Sequence, residues 1–326
     1  MTLHKRKIII SADFSDFITG PVSMNGATSW TPEWLVDQLI LKSGFNIIGG
    51  APKVGKSLLR SHILVSVMAG RPVFGQFDTQ PVEKVLLMAG EEILEVEEAR
   101  IRRAANGLAV GDQEVPIYIM PQKGFFFDDY PSFENFIRWV LDEQFDIVCI
   151  DPLIRWHRAN ENVSGELSPV LSNLRRLCHE GVTIVLVHHT SKPKEGSEDW
   201  PLGYLLRGSS DLAAIYDNLI ILKSTTGGKL RREVLVDSRP AEAPDAFKID
   251  LDIDDTSFSW KVSQTTIDVV KEKFRTLDPS ERMGTNEMAK AIHRRKQDVS
   301  LALQSLYRQG LIEKCEGGYS WVEVPL

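Results

Sequence analysis

A largely parallel α/β sheet, followed by a small unit of three helices and a hairpin, is the fold that this sequence predicts. Three observations point there. Short apolar runs at 45–48, 85–88, 117–120, 147–150, 184–187 and 219–222 alternate with amphipathic stretches of helix length. Apolar strands separated by helices imply parallel neighbours buried on both faces. Near residue 223 this alternation stops, and three runs at 230–236, 247–253 and 257–262 read as antiparallel strands at one edge. After residue 265 the pattern turns helical again and closes on an alternating tail.

Taken in order, residues 1–43 carry scattered Ser, Gly, Pro and Asn and one amphipathic piece, Pro32-Glu33-Trp34-Leu35-Val36-Asp37-Gln38-Leu39-Ile40. Its apolar positions recur at helical spacing, which predicts one short helix in a lead-in segment. The strand at 45–48 runs into a glycine-rich turn and then a helix through Leu58 and Leu59. Gly227-Gly228 predicts a hairpin turn between the strands that flank it. Helices follow at 267–277, at 285–293 opened by Thr285, and at 297–309 stopped by Gly310. The tail at 311–324 alternates like a hairpin around Gly317-Gly318, so the last unit has the layout of a winged helix-turn-helix. The expected units are a lead-in (1–43), an α/β domain (44–264) and a winged-helix domain (265–326).

Length and composition set outer bounds. The 326 residues suffice for one large core and a small second unit, and 43 % hydrophobic with 25 % charged residues is an ordinary globular balance. A formal net charge of -7 argues against a surface uniformly suited to nucleic acid, though not against a local basic patch. Cys149, Cys178 and Cys315 lie far apart without C-x-x-C spacing, as expected of reduced core thiols in a cytosolic protein. Lys5-Arg6-Lys7 precedes only three apolar residues, too few for a signal peptide, and no stretch approaches the roughly 20 apolar residues that span a bilayer. A cytoplasmic location is expected.

Gly50-Ala51-Pro52-Lys53-Val54-Gly55-Lys56-Ser57 fits G-x-x-x-x-G-K-[ST] between an apolar strand and a helix, the context that a phosphate-binding loop requires. Glycines let the backbone wrap phosphate oxygens, and the helix start through Leu58 offers unpaired N–H groups. Lys56 neutralises β/γ charge of ATP and Ser57 ligates Mg²⁺. Asp151 ends the apolar run Ile147-Val148-Cys149-Ile150, at the carboxyl edge where α/β sheets bind ligands. It suits an aspartate that holds Mg²⁺ through water, with capping of the next helix as the alternative. Glu91 and Glu92 follow another apolar strand. Either would act on the attacking water if that strand neighbours the loop strand, and either could cap the helix that follows. Residues 95–103 read as a charged, solvated helix face.

The phosphate loop, Glu91, Asp151, His188-His189-Thr190-Ser191-Lys192 and Arg207-Gly208-Ser209-Ser210 together resemble the RecA-like ATPases of the AAA_25 type, and among them the RepA-type hexameric replicative helicases of plasmids. The resemblance covers about residues 30 to 225. It implies that Glu91 activates water, and that His188 and His189 sense the γ-phosphate or couple it to DNA-binding loops. It implies too that Arg207 is a finger reaching a neighbouring subunit's ATP in a homo-oligomeric, hexameric ring. Taken alone, the histidines are strand-end residues with local hydrogen bonds and Arg207 is a surface or ion-pair residue. The stretches Arg155-Trp156-His157-Arg158 and Glu161-Asn162-Val163-Ser164-Gly165-Glu166 resemble loops that line the ring channel in relatives. A second loop, 192–206, is mixed in charge, with Lys192 and Lys194 beside Glu195, Glu198 and Asp199.

In the last unit Arg294-Arg295-Lys296 stands at the start of the third helix, the end that approaches DNA in winged helices, yet ten Lys and Arg face nine Asp and Glu, a balance of +1. The expected function is an ATP-driven DNA helicase or translocase in the replication of a plasmid, phage or integrated element, with single-stranded DNA in the ring channel. Its rival is an ATPase switch that loads or regulates DNA-processing partners without unwinding. A small-molecule kinase would need an acceptor pocket for which no residues stand out.

Overall fold

The computed structural model describes residues 30–110, 115–161, 163–192, 200–208, 210–225, 230–278 and 281–322. The chain divides into two units, residues 1–32 and 33–326, and all elements named below lie in the second.

It opens with a small hairpin, β1 (Trp34–Val36) and β2 (Ile40–Leu41), followed by β3 (Phe45–Gly50) and α1 (Lys56–Met68). The helix expected over 32–40 is therefore not formed. Leu35, Val36, Leu39 and Ile40 are all buried, as helical spacing anticipated. A tight hairpin brings the same positions together, with Gln38 at φ 55° making the turn and Leu39 N–H donating to Val36 O at 2.9 Å. Spacing alone does not separate the two outcomes in so short a segment.

The chain continues through β4 (Val85–Ala89), α2 (Leu94–Gly107), β5 (Ile117–Pro121), α3 (Tyr130–Asp142), β6 (Ile147–Asp151), α4 (Ser164–His179), β7 (Thr183–His189), α5 (Ser210–Ile215) and β8 (Asn218–Ser224). Then come β9 (Arg231–Ser238), β10 (Phe247–Ile253) and β11 (Phe258–Val262). One nine-stranded sheet runs β11-β10-β9-β8-β3-β7-β6-β4-β5. Its six strands from β8 to β5 are parallel, and β9 to β11 extend it by antiparallel pairing, as the sequence predicts. The hairpin expected at Gly227-Gly228 lies outside the described residues, although β8 and β9 do pair antiparallel.

Alternate residues of the same strands feed two cores, the consequence of a two-residue side-chain period. Ile48, Leu87, Cys149 and Val185 pack with α1 and α2, while Ile47, Leu86, Met88, Val148 and Leu186 pack with α3 and α4. The antiparallel extension does not lie flat. It curls over α1 and α2, so that Phe258 and Trp260 of β11 join the core beneath α1. Asn106 Nδ2 of α2 donates to Thr256 O at 2.9 Å, and Trp260 N–H donates to His62 Nδ1 of α1 at 3.3 Å. His62 also faces the Phe74 N–H from its other nitrogen. Burial brings its pKa down to about 3, and a protonated ring would meet two donors with two donors.

The last stretch forms α6 (Thr266–Arg275), α7 (Thr285–Ala291), α8 (Lys296–Arg308), β12 (Ile312–Cys315) and β13 (Gly318–Trp321). Thr265 and Asp268 make a reciprocal capping box at the head of α6. Val270, Phe274, Met288, Val299, Leu303 and Leu306 build a hydrophobic cluster of their own, separate from the two that flank the large sheet. Among the described residues no helix is long and apolar enough to cross a membrane.

Candidate active site

β3 ends at Gly50, and residues 51–55 turn the chain back into α1 with Gly55 in a left-handed conformation at φ 106°. A side chain is disfavoured there twice over, since a Cβ would also approach Trp260 Cζ2 to 3.2 Å. Ala51, Pro52 and Lys53 are exposed, Val54 is buried, and Ser57 and Leu58 are half-buried in the first turn. No side chain caps α1, so its leading N–H groups face the loop, the arrangement that receives anions. Lys56 is folded back over this loop: Nζ donates to Gly50 O at 2.9 Å and to Ala51 O at 3.0 Å, and it lies 3.2 Å from His189 Nδ1. Burial lowers its pKa, while the charges of Asp151 and Glu91 oppose the shift.

Asp151 closes β6. No side chain caps the short 3₁₀ turn Leu153–Arg155 that follows, so the capping alternative falls away. Its Oδ2 is buried without a hydrogen-bond partner among the described residues, and Arg60 Nε lies 3.5 Å away. The strand that ends before Glu91 does not neighbour β3, because β7 and β6 lie between. Glu91 instead arrives beside Asp151: Ala89 pairs with Asp151, and Gly90 N–H donates to Asp151 O at 2.9 Å. The two adjacent acids then part. Glu91 lines a cavity of about 250 Å³ with His188, His189, Glu161 and Arg207, whereas Glu92 is 3.7 Å from Arg100.

Strand alternation separates the two histidines. His189 faces Lys56, and burial and that cation depress its pKa, which leaves a neutral ring whose Nδ1 accepts from Lys56. His188 is buried and donates from Nε2 to Arg207 O at 2.7 Å; burial lowers its pKa against that bond and the charge of Glu161. Arg207 N–H in turn donates to His189 O at 2.9 Å, and Ser191 N–H to Leu205 O at 2.8 Å. The end of β7 is thereby laced to residues 205–207, which fixes Arg207 at the cavity although its side chain is exposed.

Several residues lie elsewhere than the pattern suggested. Trp156, His157 and Glu161 are buried, so of the described side chains the channel-loop reading is left with exposed Arg155, Arg158, Val163, Gly165 and Glu166. Burial would raise the Glu161 pKa, but His157, His188 and Arg207 hold it below the usual carboxylate range. In the helix taken as a solvated face, Glu97 is buried between Arg60 at 2.7 Å and Arg100 at 2.5 Å. The sequence signal for this was Arg60 itself, a charge inside the apolar run of α1. Lys192 lines a second cavity, of about 510 Å³, with Trp200 and Tyr204, and the loop residues 193–199 and Ser209 lie outside the described residues. At the head of α8, Arg295 pairs with Asp298 at 2.8 Å, Lys296 is exposed, and Arg294 lines a cavity that includes Asp250 of β10.

The residues present fit a nucleotide with Mg²⁺. A buried carboxylate oxygen of Asp151 that has no hydrogen-bond partner and the Ser57 hydroxyl are hard oxygen donors. Among the described residues no cluster of three or more His, Cys, Asp or Glu could hold a metal unaided.

A family model for an AAA domain, AAA_25, matches residues 21–195, more than half of the chain. No curated protein matches it significantly. A solved structure described as a DnaB-like replicative helicase, with its interactions with primase, superposes with a TM-score of 0.51 at 15 % identity. The match covers 72 % of this chain and 65 % of that one, so the protein spans less than two thirds of the helicase chain's length. With the loop, the acids and the parallel sheet in the positions described, the chain belongs to the AAA_25 family of AAA domains and has the α/β fold of a RecA-like P-loop core.

Proposed function

We propose that the protein is a Mg²⁺-dependent ATP hydrolase that works as a DNA helicase or translocase, in the cytoplasm, in the replication of a plasmid, phage or integrated element. The observation that carries this reading is the meeting of Glu91, His189 and Arg207 on one cavity, with Lys56 in contact with His189 and Asp151 alongside. Lys56 would leave its own loop carbonyls for the β- and γ-phosphate oxygens, and the first-turn N–H groups of α1 would hold the phosphates. Ser57 and Asp151 would hold Mg²⁺, which would supply neutralisation of phosphate charge. Glu91 accepts the proton of the attacking water, and neutral His189 hydrogen-bonds the γ-phosphate. His188 and the Arg207 backbone pass the change to the loop that carries Lys192. Arg207 completes the charge balance of a neighbouring subunit's site in a hexameric ring whose channel takes single-stranded DNA.

The switch reading keeps one observation in its favour. Of the basic cluster at α8, Arg295 is paired and Arg294 faces the large sheet, which suits a protein-contacting end module as well as a DNA-binding winged helix. Lys56→Ala should abolish turnover in a phosphate-release assay, and normal rates would overturn the site assignment. Strand displacement on a forked duplex then separates the helicase from the switch: DNA-stimulated hydrolysis without displacement favours the switch.

A further inference from the structure

The guanidinium of Arg60 is wholly buried under the phosphate loop, a place where an unpaired charge would be costly. Its NH2 group donates to Glu97 at 2.7 Å, and its Nε lies 3.4 Å from Ser57 O and 3.5 Å from Asp151 Oδ2. Glu97 is held from its other oxygen by Arg100 at 2.5 Å. A chain of alternating charge thus runs from α2 through α1 to the end of β6. It touches both residues placed on the metal, Ser57 by its backbone and Asp151 by its carboxylate.

Two features set this cluster apart from an ordinary structural ion pair. First, burying three charges contributes little net stability, since desolvation offsets most of the attraction, so stability does not account for it. Second, the contact to Asp151 is an ion pair at 3.5 Å and not a hydrogen bond, and Asp151 Oδ2 is left without any hydrogen-bond partner. The carboxylate is therefore oriented by the neighbouring Arg60 charge without being saturated by donors. A carboxylate saturated by donors would have to break bonds before accepting from a metal-bound water.

Resting on the ATPase reading above, we propose that Arg60, clamped by Glu97, is a positioning residue that presents Asp151 to the hydrated Mg²⁺ of a bound nucleotide. Arg60 touches neither nucleotide nor water; it acts through Asp151. Burial opposes its charge, but Asp151 and Glu97 outweigh burial and hold the guanidinium protonated.

The test is calorimetric binding of the non-hydrolysable analogue AMP-PNP, in EDTA and again in Mg²⁺, to wild type and to the charge-neutral double variant Arg60→Met/Glu97→Gln. The expected result is an unchanged affinity in EDTA and a loss of about 10-fold or more from the gain that Mg²⁺ confers, the scale of effect seen for residues that orient metal ligands. An undiminished gain overturns the positioning role, and so does an equal loss in both conditions, which would mark a structural cluster. Should the double variant not fold by circular dichroism, Glu97→Gln alone carries the same criterion. A wild type that shows no gain from Mg²⁺ would instead overturn the metal site itself, a failure distinct from that of Arg60.

Discussion

At the scale of single residues, the site turns on which of two neighbouring glutamates faces the cavity. Glu91 lines it with His189, while Glu92 leans toward Arg100 at its surface. Glu91→Gln should lower kcat by about 10²- to 10⁴-fold with AMP-PNP affinity unchanged, the usual contribution of a general base. Glu92→Gln loses only a half-exposed, long ion pair and should keep near-normal kcat. Steady-state kinetics on the two variants decides the matter, and the opposite ranking would reassign the base. In the sequence only the family resemblance favoured Glu91, because spacing along a chain says nothing of which way two adjacent side chains turn. The phosphate loop was legible because its chemistry is local: eight consecutive residues between a strand and a helix. Arg60 and Glu97 were not, since 37 residues separate them and only the packing of α2 on α1 makes them partners.

Among the elements, the six parallel strands and their order of appearance were legible from apolar runs, and so were the antiparallel strands and the closing helices and hairpin. What escaped was geometry made by distant contacts. The lead-in hairpin passed for a helix since four apolar positions satisfy either shape, and the curl of β9–β11 over α1 leaves no periodic trace. That curl depends on Gly107 at the end of α2, where a Cβ would stand 1.9 Å from Phe258 O and 2.4 Å from its carbonyl carbon. Gly107→Ala should therefore cost about 1–3 kcal/mol or more, as overpacking against a backbone does. Gly165, the second residue of α4, with nothing within 4 Å of its added Cβ, is the control. Gly165→Ala should be neutral or mildly stabilising by roughly 0.5–1 kcal/mol, as a helical Gly→Ala exchange tends to be. Urea midpoints for the two variants give the comparison, and a Gly107→Ala protein as stable as wild type would mean that β11 does not press on α2.

For the whole molecule, the open matter is whether one chain makes a complete site. Arg207 lines the cavity of its own chain, yet its side chain is exposed and free to serve a neighbour. Neither Arg207→Ala nor Lys56→Ala should turn over ATP alone at a normal rate. Mixed in one assembly, they should recover a fraction of activity, from sites that join an intact Lys56 to an intact Arg207. No recovery, with subunit exchange verified by mass, would place the arginine's work within its own protomer. The match to the helicase-like solved structure concerns shape only, so this measurement bears on assembly where resemblance does not. One feature of the curl reaches further. Trp260 stands under Gly55, and Arg232 Nε donates to Val54 O at 2.6 Å, so the glycine-rich loop rests on a plinth laid some two hundred positions later. A fragment trimmed to the span bearing the recognisable motifs would retain the loop itself and forfeit the masonry beneath it; the shortest piece expected to hold that loop in shape runs at least to the end of the outermost strand.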